Sequence, residues 1–257
     1  MTDEFSNIEK KDNRGFIILI VLTVITFVVW QIPLVGRFIL YPFTILGTWF
    51  HEMGHGVTAM LMGGSFEQLE IYADGSGLAY HSGSLFLGPI GRAAVAAGGP
   101  LGPPLAGSLM IILSNKEKYV KPVLIIFGAL ILISVLLWVR SWFGIIVLPL
   151  YALAIIFIAS RANPVLQKFT LQFLGVQGFF SVYQSLGYLF SSGGTVDGSS
   201  IMSDTGVIAD SLFLPHWVWA ASIIALSVFL FVKTLSYANR RPEKAALQKP
   251  SITDYTV

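Results

Sequence analysis

Six stretches of the chain, residues 15–36, 93–115, 122–139, 141–160, 169–196 and 211–232, contain no Asp, Glu, Lys or Arg. Most reach the ~18–20 apolar residues that cross a ~30 Å hydrocarbon layer as helix. The pattern predicts a first helix from about Gly15 to Val35, with Trp30 and Pro33 toward its far end. A second begins near Phe38, is apolar through Phe50, then carries His51, Glu52 and His55 before ending around Gly63 and Gly64. Residues 65–82 change character: aromatics surround Asp74-Gly75, a short-range hairpin signal, and two short interfacial strands are expected. The Gly-, Ala- and Pro-rich span from Ala93 to Leu113 suits close backbone approach and kinking. Spans 122–139 and 141–160 follow, joined by a tight turn at Trp138–Trp142 whose Trp pair and Arg140 fit an interfacial belt. Residues 165–190 are apolar but carry Gln172, Gln177, Tyr183 and Gln184, so one side should face protein or water. Ser191 to Ser203 reads as a Gly/Ser loop, and a last span covers Leu214 to Leu235. The expected fold class is an all-α polytopic membrane protein of about six to seven transmembrane helices, with a short interfacial β-hairpin after the second. Residues 1–14 and 237–257 read as polar tails, 15–236 as one transmembrane unit, and no internal repeat is found.

Composition narrows the class. With 54% hydrophobic and 12% charged residues, against ~45–50% and ~25% in soluble domains, an ordinary soluble enzyme is excluded. A net charge of +2 without a basic stripe sets nucleic acid aside. The absence of cysteine removes disulfides, thiolate metal sites and a cysteine nucleophile, so any bound metal must use His, Asp or Glu. Lys10, Lys11 and Arg14 before an apolar run have the look of a signal peptide, but no small-x-small cleavage site follows, and the run reads as a retained first span.

His51-Glu52-Met53-Gly54-His55 carries the chemistry. Positions i and i+4 share a helix face, so both imidazoles can bind one metal ion while Glu52 reaches a water at that ion. Zn²⁺ with three protein ligands and an open fourth position lowers the pKa of its water to ~7, and a carboxylate can take the proton as the water attacks a carbonyl. Against this stands a bland reading, two His and a Glu on a solvated helix end. A charged residue within the bilayer costs ~2.5–3.5 kcal/mol even on translocon scales, so an unpaired, purposeless Glu52 is the poorer account.

The motif within an apolar helix, the hairpin-like segment after it, and Arg92-Ala-Ala-Val-Ala-Ala-Gly-Gly-Pro-Leu-Gly-Pro-Pro-Leu-Ala106 resemble the site-2 protease group of intramembrane zinc metallopeptidases, the M50 family, most closely its M50B-like branch. Ser203-Asp204-Thr-Gly-Val-Ile-Ala209 is similar to an SD-containing segment of that branch. Two departures stand out. Pro103 occupies the place where many members have an Asn shortly after the AGP, and the usual Leu-Asp-Gly segment is reduced to Val196-Asp197-Gly198. The resemblance covers about residues 38–236 and implies a Zn²⁺ cofactor, a metallopeptidase role for the transmembrane unit read over 15–236, and membrane-anchored protein substrates cleaved in regulated intramembrane proteolysis.

The third ligand is open among Asp197, Asp204 and Asp210. Asp197 has the plain reading of an Asp-Gly turn residue. Asp204, following Ser203 at a helix start, has that of a first-turn carboxylate favoured by the dipole. Asp210 is most simply a polar residue near the interface. Asp204 is preferred because it joins a positioned carboxylate to the branch resemblance. His81 and His216 read as interfacial rings rather than ligands, Glu67 and Glu70 as solvated hairpin residues, and Arg92 as a span-boundary charge. The hairpin also offers a strand edge that can hold an extended substrate by main-chain hydrogen bonds.

Four spans separate the hairpin from Asp204, and an even number returns the chain to the face where His51 and His55 lie. Orientation is split. Lys10, Lys11, Arg14, Arg92 and Arg140, five of 16 basic residues, fall on the metal side. A literal count therefore puts that side outside, whereas the first helix and the resemblance favour the cytoplasm. The sequence thus predicts a multi-pass integral protein of the cell membrane, with the lipid bilayer and a membrane-anchored protein substrate as partners and no nucleic acid. Zinc would be held by His51, His55 and Asp204, with Glu52 as general base. The rival reading is a membrane scaffold or binding protein retaining a metal site. A transporter, a third possibility, is disfavoured because the ionisable groups cluster at one level.

Overall fold

The computed structural model describes residues 17–32, 34–196 and 198–238. The tail expected at 1–14 and all of the one at 237–257 beyond Ala238 lie outside them.

Helix α1 (Ile17–Trp30) precedes α2 (Val35–Leu61), strands β1 (Ser65–Ile71) and β2 (Gly77–Ser82), then α3 (Pro89–Ser114), α4 (Glu117–Leu137), α5 (Trp142–Arg161) and α6 (Pro164–Gln184). A single turn of helix, α7 (Leu186–Leu189), leads to strands β3 (Gly193–Val196) and β4 (Ser199–Met202), helix α8 (Asp204–Ser211) and helix α9 (His216–Ala238). Helix starts follow local chemistry: Pro164 occupies the first turn of α6 while the Asn163 side chain accepts from the Leu166 N–H, and Ser203 does the same for the Gly206 N–H of α8.

The chain is mostly helical, and among the described residues α3, α4, α5 and α9 are long and apolar enough to cross a membrane. Their outward faces are apolar too. Leu130, Ile133 and Leu136 on α4, Leu150 and Phe157 on α5, and Val228 and Phe229 on α9 are all exposed. A soluble monomer does not present so continuous an apolar exterior, and lipid is the solvent that suits it. Polar side chains turn inward instead: Gln167, Gln172 and Gln177 of α6 are buried, as expected for a helix with one face on protein.

The hairpin forms where the Asp74-Gly75 signal put it. β1 and β2 are antiparallel with Leu69 opposite Ala79, and Gly75 sits at φ +91°, a conformation that glycine adopts without steric cost. Its outer side is closed by the α4–α5 turn: the Leu69 N–H donates to Trp138 O at 2.8 Å and the Arg140 N–H to Leu69 O at 3.0 Å. Trp138, expected in an interfacial belt, stacks on Phe66 with ring centroids 4.8 Å apart, while Trp142 remains exposed. Leu69 and Ile71 thus enter a core with Leu124, Ile131, Val139 and Leu148, to which α2 is pinned by a Trp49 Nε1–H to Ser134 Oγ bond of 2.9 Å. A second core joins Ala93 and Ala96 of α3 to Leu189, Ile208, Ala220 and Ile223.

Three expectations change. The first helix ends at Trp30 and the second starts at Val35, several residues earlier than the polar pattern suggested. The expected helix over 165–190 breaks at Ser185, whose hydroxyl bonds back to Ser181 O at 2.9 Å. The Gly/Ser stretch 191–203 is a second antiparallel hairpin, Gly193 opposite Met202 and Thr195 opposite Ser200. Its composition reads as loop, but the two strands satisfy one another's backbone groups, which composition alone does not reveal.

Candidate metal centre

His51 and His55 lie one turn apart on α2, and their rings meet edge to face with centroids 4.8 Å apart. Asp204 opens α8, where the free N–H groups of the first turn favour a carboxylate. Its Oδ2 lies 3.0 Å from His51 Nε2 and its Oδ1 3.2 Å from His55 Nε2. One ligand atom from each residue can be chosen so that all lie within 4.8 Å of one another. Tetrahedral zinc with ligand distances of ~2.0–2.2 Å sets its ligand atoms about 3.4 Å apart, close to these spacings.

Three features test whether the residues fit a metal ion. Asp204 Oδ2, although near His51, is buried and accepts no hydrogen bond from the protein. The Nδ1 of His55 lies 2.8 Å from Val95 O; donation there fixes the tautomer that leaves Nε2 with a lone pair for a cation. The backbone beside the rings is bare: a Cβ at Gly99 would stand 2.1 Å from His55 Nε2 and 2.8 Å from His51 Nε2. The donor set suits zinc, and the small-residue stretch of α3 is the cradle that admits it. Gly54 makes the crossing possible from the other helix, since a Cβ there would meet Gly98 O at 2.2 Å.

Glu52 is buried beside this group and interacts electrostatically with His51, His55 and Asp204. The hairpin lies directly on it. A Cβ at Gly77 would stand 2.9 Å from Glu52 Cγ, and the Ala79 N–H donates to the Glu52 carboxylate. The turn is tied to α2 by the Thr48 hydroxyl, which donates to Gly75 O at 2.6 Å, and by the Tyr41 hydroxyl, which donates to Ala73 O. Between this turn, α1, α2 and the second hairpin is a cavity of about 900 Å³, lined by His51, Glu52, Gly77, Tyr188 and Thr195 among others.

Of the three aspartates considered, Asp204 meets the imidazoles. Asp210 faces away and pairs with Arg92 at 3.0 Å, with both side chains about half exposed. Asp197 lies outside the described residues. Of the remaining histidines, His216 Nε2 sits 3.2 Å from Phe190 O, and His81 is on β2 opposite Phe66. Burial pushes the His81 imidazole below its ordinary value, with His55 adding to the shift. Glu70 accepts from the Tyr72 hydroxyl and Glu67 from Ser82, so the hairpin carboxylates are engaged locally rather than merely solvated.

Sequence reasoning passed over Tyr188. Its hydroxyl accepts the backbone N–H of Asp204. Burial, and then the Asp204 and Glu52 carboxylates, push its phenol well above the ordinary value, so it stays protonated. No spacing rule points to this residue; only the packing of α7 on α8 brings it to the site.

Apolar helices of membrane-spanning length around an inward group of two imidazoles and a carboxylate define an integral membrane protein with a site able to hold a metal ion. The model of the family described as Peptidase M50B-like matches residues 18–234, and the chain belongs to that family of peptidases. No curated protein and no solved structure matches it.

Proposed function

We propose that the protein is an intramembrane zinc metalloendopeptidase in which His51, His55 and Asp204 hold the metal and Glu52 is the general base. The observation that carries this reading is the approach of three donor atoms to within 4.8 Å of one another, with Glu52 beside them in the same cavity. When bound there, zinc supplies a Lewis acid that polarises the scissile carbonyl and acidifies a water.

Glu52 takes the proton of the attacking water and returns it to the leaving nitrogen, a role worth typically 10²–10⁴-fold in rate. Burial suits it to the task, because the Ala79 N–H is its one backbone partner among the described residues and its side chain lines the cavity. Asp204 and the carbonyl of Val95 hold the imidazoles in place. The substrate is a membrane-anchored protein whose scissile segment leaves its helix and lies extended along β2. Leu69 spends its own N–H and C=O on the 138–140 segment, so the groups of Ala79 opposite it point away from β1, toward Glu52. A helical segment would hide its amides in its own hydrogen bonds, and a strand edge is the surface that receives an unwound one.

We further propose that α1, α2 and α6 cross the bilayer together with the four clearly apolar helices, giving seven spans in one domain over 15–236 within the cell membrane. Supporting this are the inward polar faces of α2 and α6, which lower their hydropathy without shortening them, at 27 and 21 residues. The scaffold alternative is not favoured, since a structural zinc site is closed by four protein ligands and the group here offers three among the described residues. The test is Glu52→Gln in the purified full chain, expected to keep zinc and lose cleavage of an internally quenched peptide with an apolar core; cleavage by that variant overturns the reading.

A further inference from the structure

The cavity wall is rich in hydroxyls, and most of them are spent. Tyr41, Thr48, Ser76, Ser181 and Ser185 each donate to a protein oxygen, and Thr44 is within hydrogen-bonding reach of Leu40 O and Gln184 Oε1. Tyr183 accepts from the Gln31 amide on the exposed side of the cavity, and among the described residues neither its proton nor that of Thr195 meets an acceptor. Tyr188 is set apart by its surroundings, since the Asp204 and Glu52 carboxylates both act on it. Its oxygen is occupied by the Asp204 N–H, and among the described residues no acceptor takes its proton. It lines the cavity shared by His51 and Glu52.

Its position is enforced. The Thr205 hydroxyl donates to Leu189 O at 2.6 Å, the Ser203 hydroxyl to Ser191 O at 2.6 Å, and the Ser203 N–H to Ser192 O at 3.2 Å. Three hydrogen bonds thus staple the segment just after Tyr188 to the residues on either side of Asp204. Any rearrangement of one moves the other. A neutral hydroxyl, polarised by a donor at its oxygen and held beside the metal-capable group, is placed to stabilise negative charge that forms only during reaction.

We propose that the Tyr188 hydroxyl donates the hydrogen bond that stabilises the oxyanion of the tetrahedral intermediate, a role that rests on the peptidase reading above. As the water oxygen bonds to the scissile carbon, the carbonyl π pair moves onto oxygen and Glu52 takes the water proton. Tyr188 donates its hydrogen bond to that oxygen without losing its proton. On collapse the C=O re-forms, the C–N bond breaks, and the nitrogen receives the proton from Glu52. The products are an amine and a carboxylic acid.

The test is Tyr188→Phe in the full chain in detergent micelles, measured beside wild type and Glu52→Gln. Loss of one oxyanion donor costs about 10²–10³ in kcat. The expected result is that loss per bound zinc, with KM of the quenched apolar peptide within about twofold. Zinc content should match wild type, with Tm lower only by the few degrees that the lost acceptor of the Asp204 N–H costs. A phosphinic peptide, which mimics the tetrahedral species, should bind Tyr188→Phe more weakly by the same factor as kcat/KM falls. Binding of the uncleaved peptide, read on Glu52→Gln with and without Tyr188→Phe, should not change. If kcat per bound zinc stays within threefold of wild type, or falls only because zinc is lost, the proposal is overturned while an inactive Glu52→Gln leaves the peptidase reading standing. If Glu52→Gln cleaves, the peptidase reading itself fails.

Discussion

The Nδ1 of His55 lies 2.8 Å from the carbonyl oxygen of Val95, and Val95 sits one turn before Gly99 on the same helix. One element therefore orients the imidazole from behind and leaves room in front of it. Gly99→Ala puts a methyl where His55 Nε2 and His51 Nε2 now lie, at 2.1 and 2.8 Å. We expect this variant to lose stoichiometric zinc and about 1–3 kcal/mol of stability through overpacking. Gly187→Ala, where a Cβ meets nothing within 4 Å, is the matched control. Metal analysis and thermal melts check both, and full zinc retention by Gly99→Ala contradicts the cradle.

The two aspartates of α8 should separate cleanly. Asp204→Ala leaves two imidazoles without a carboxylate and is expected to abolish zinc binding and cleavage. Asp210→Ala removes a half-exposed pair with Arg92, worth about 0–1 kcal/mol, and should keep both. Zinc per chain, measured after gel filtration, distinguishes them.

Metal removal should cost stability, because ligand binding to the folded state alone contributes about 2.7 kcal/mol at a free concentration of 100 Kd. Chelation is expected to lower Tm reversibly, with added zinc restoring it. Asp204→Ala should show no such shift in either direction.

The strand edge can be tested at a single donor. Ala79→Pro removes the N–H that reaches Glu52 while leaving the β1 ladder intact, since the groups of Ala79 face away from Leu69. A lost hydrogen bond to a charged group is worth about 1.5–3 kcal/mol, so kcat/KM should fall at least tenfold with zinc unchanged. Wild-type cleavage kinetics would remove β2 from the substrate path.

The hairpin turn carries its own pH signature. The Ser76 hydroxyl and then its N–H hold Asp74 below its ordinary value of 3.8. A depressed carboxylate stabilises the fold above its unfolded pKa, and that contribution disappears as pH falls from about 4 through the lower folded value. Carbon-detected titration of Asp74 should show this, and Ser76→Ala should move the midpoint up toward 3.8; an unmoved midpoint refutes the assignment.

His51, Glu52 and His55 were legible in the chain because the relation between i and i+4 is a property of any helix. The hairpin was legible because Asp74-Gly75 is a local instruction, and so were the apolar spans, since bilayer thickness sets their length. Asp204 could only be preferred over Asp197 and Asp210. Asp197 reads as a turn residue, Asp204 as a first-turn carboxylate and Asp210 as a polar residue near the interface, and nothing local says which one reaches α2. That choice belongs to the packing of α8 against α3, where Ile208 joins Ala93 and Ala96, and to the bare backbone at Gly99 that lets the imidazoles turn toward it. Tyr188 and the second hairpin were hidden for the same reason. Periodicity and turn chemistry act over a few residues, whereas a site assembled from α2, α3, α7 and α8 depends on long-range close approach that only the folded chain decides.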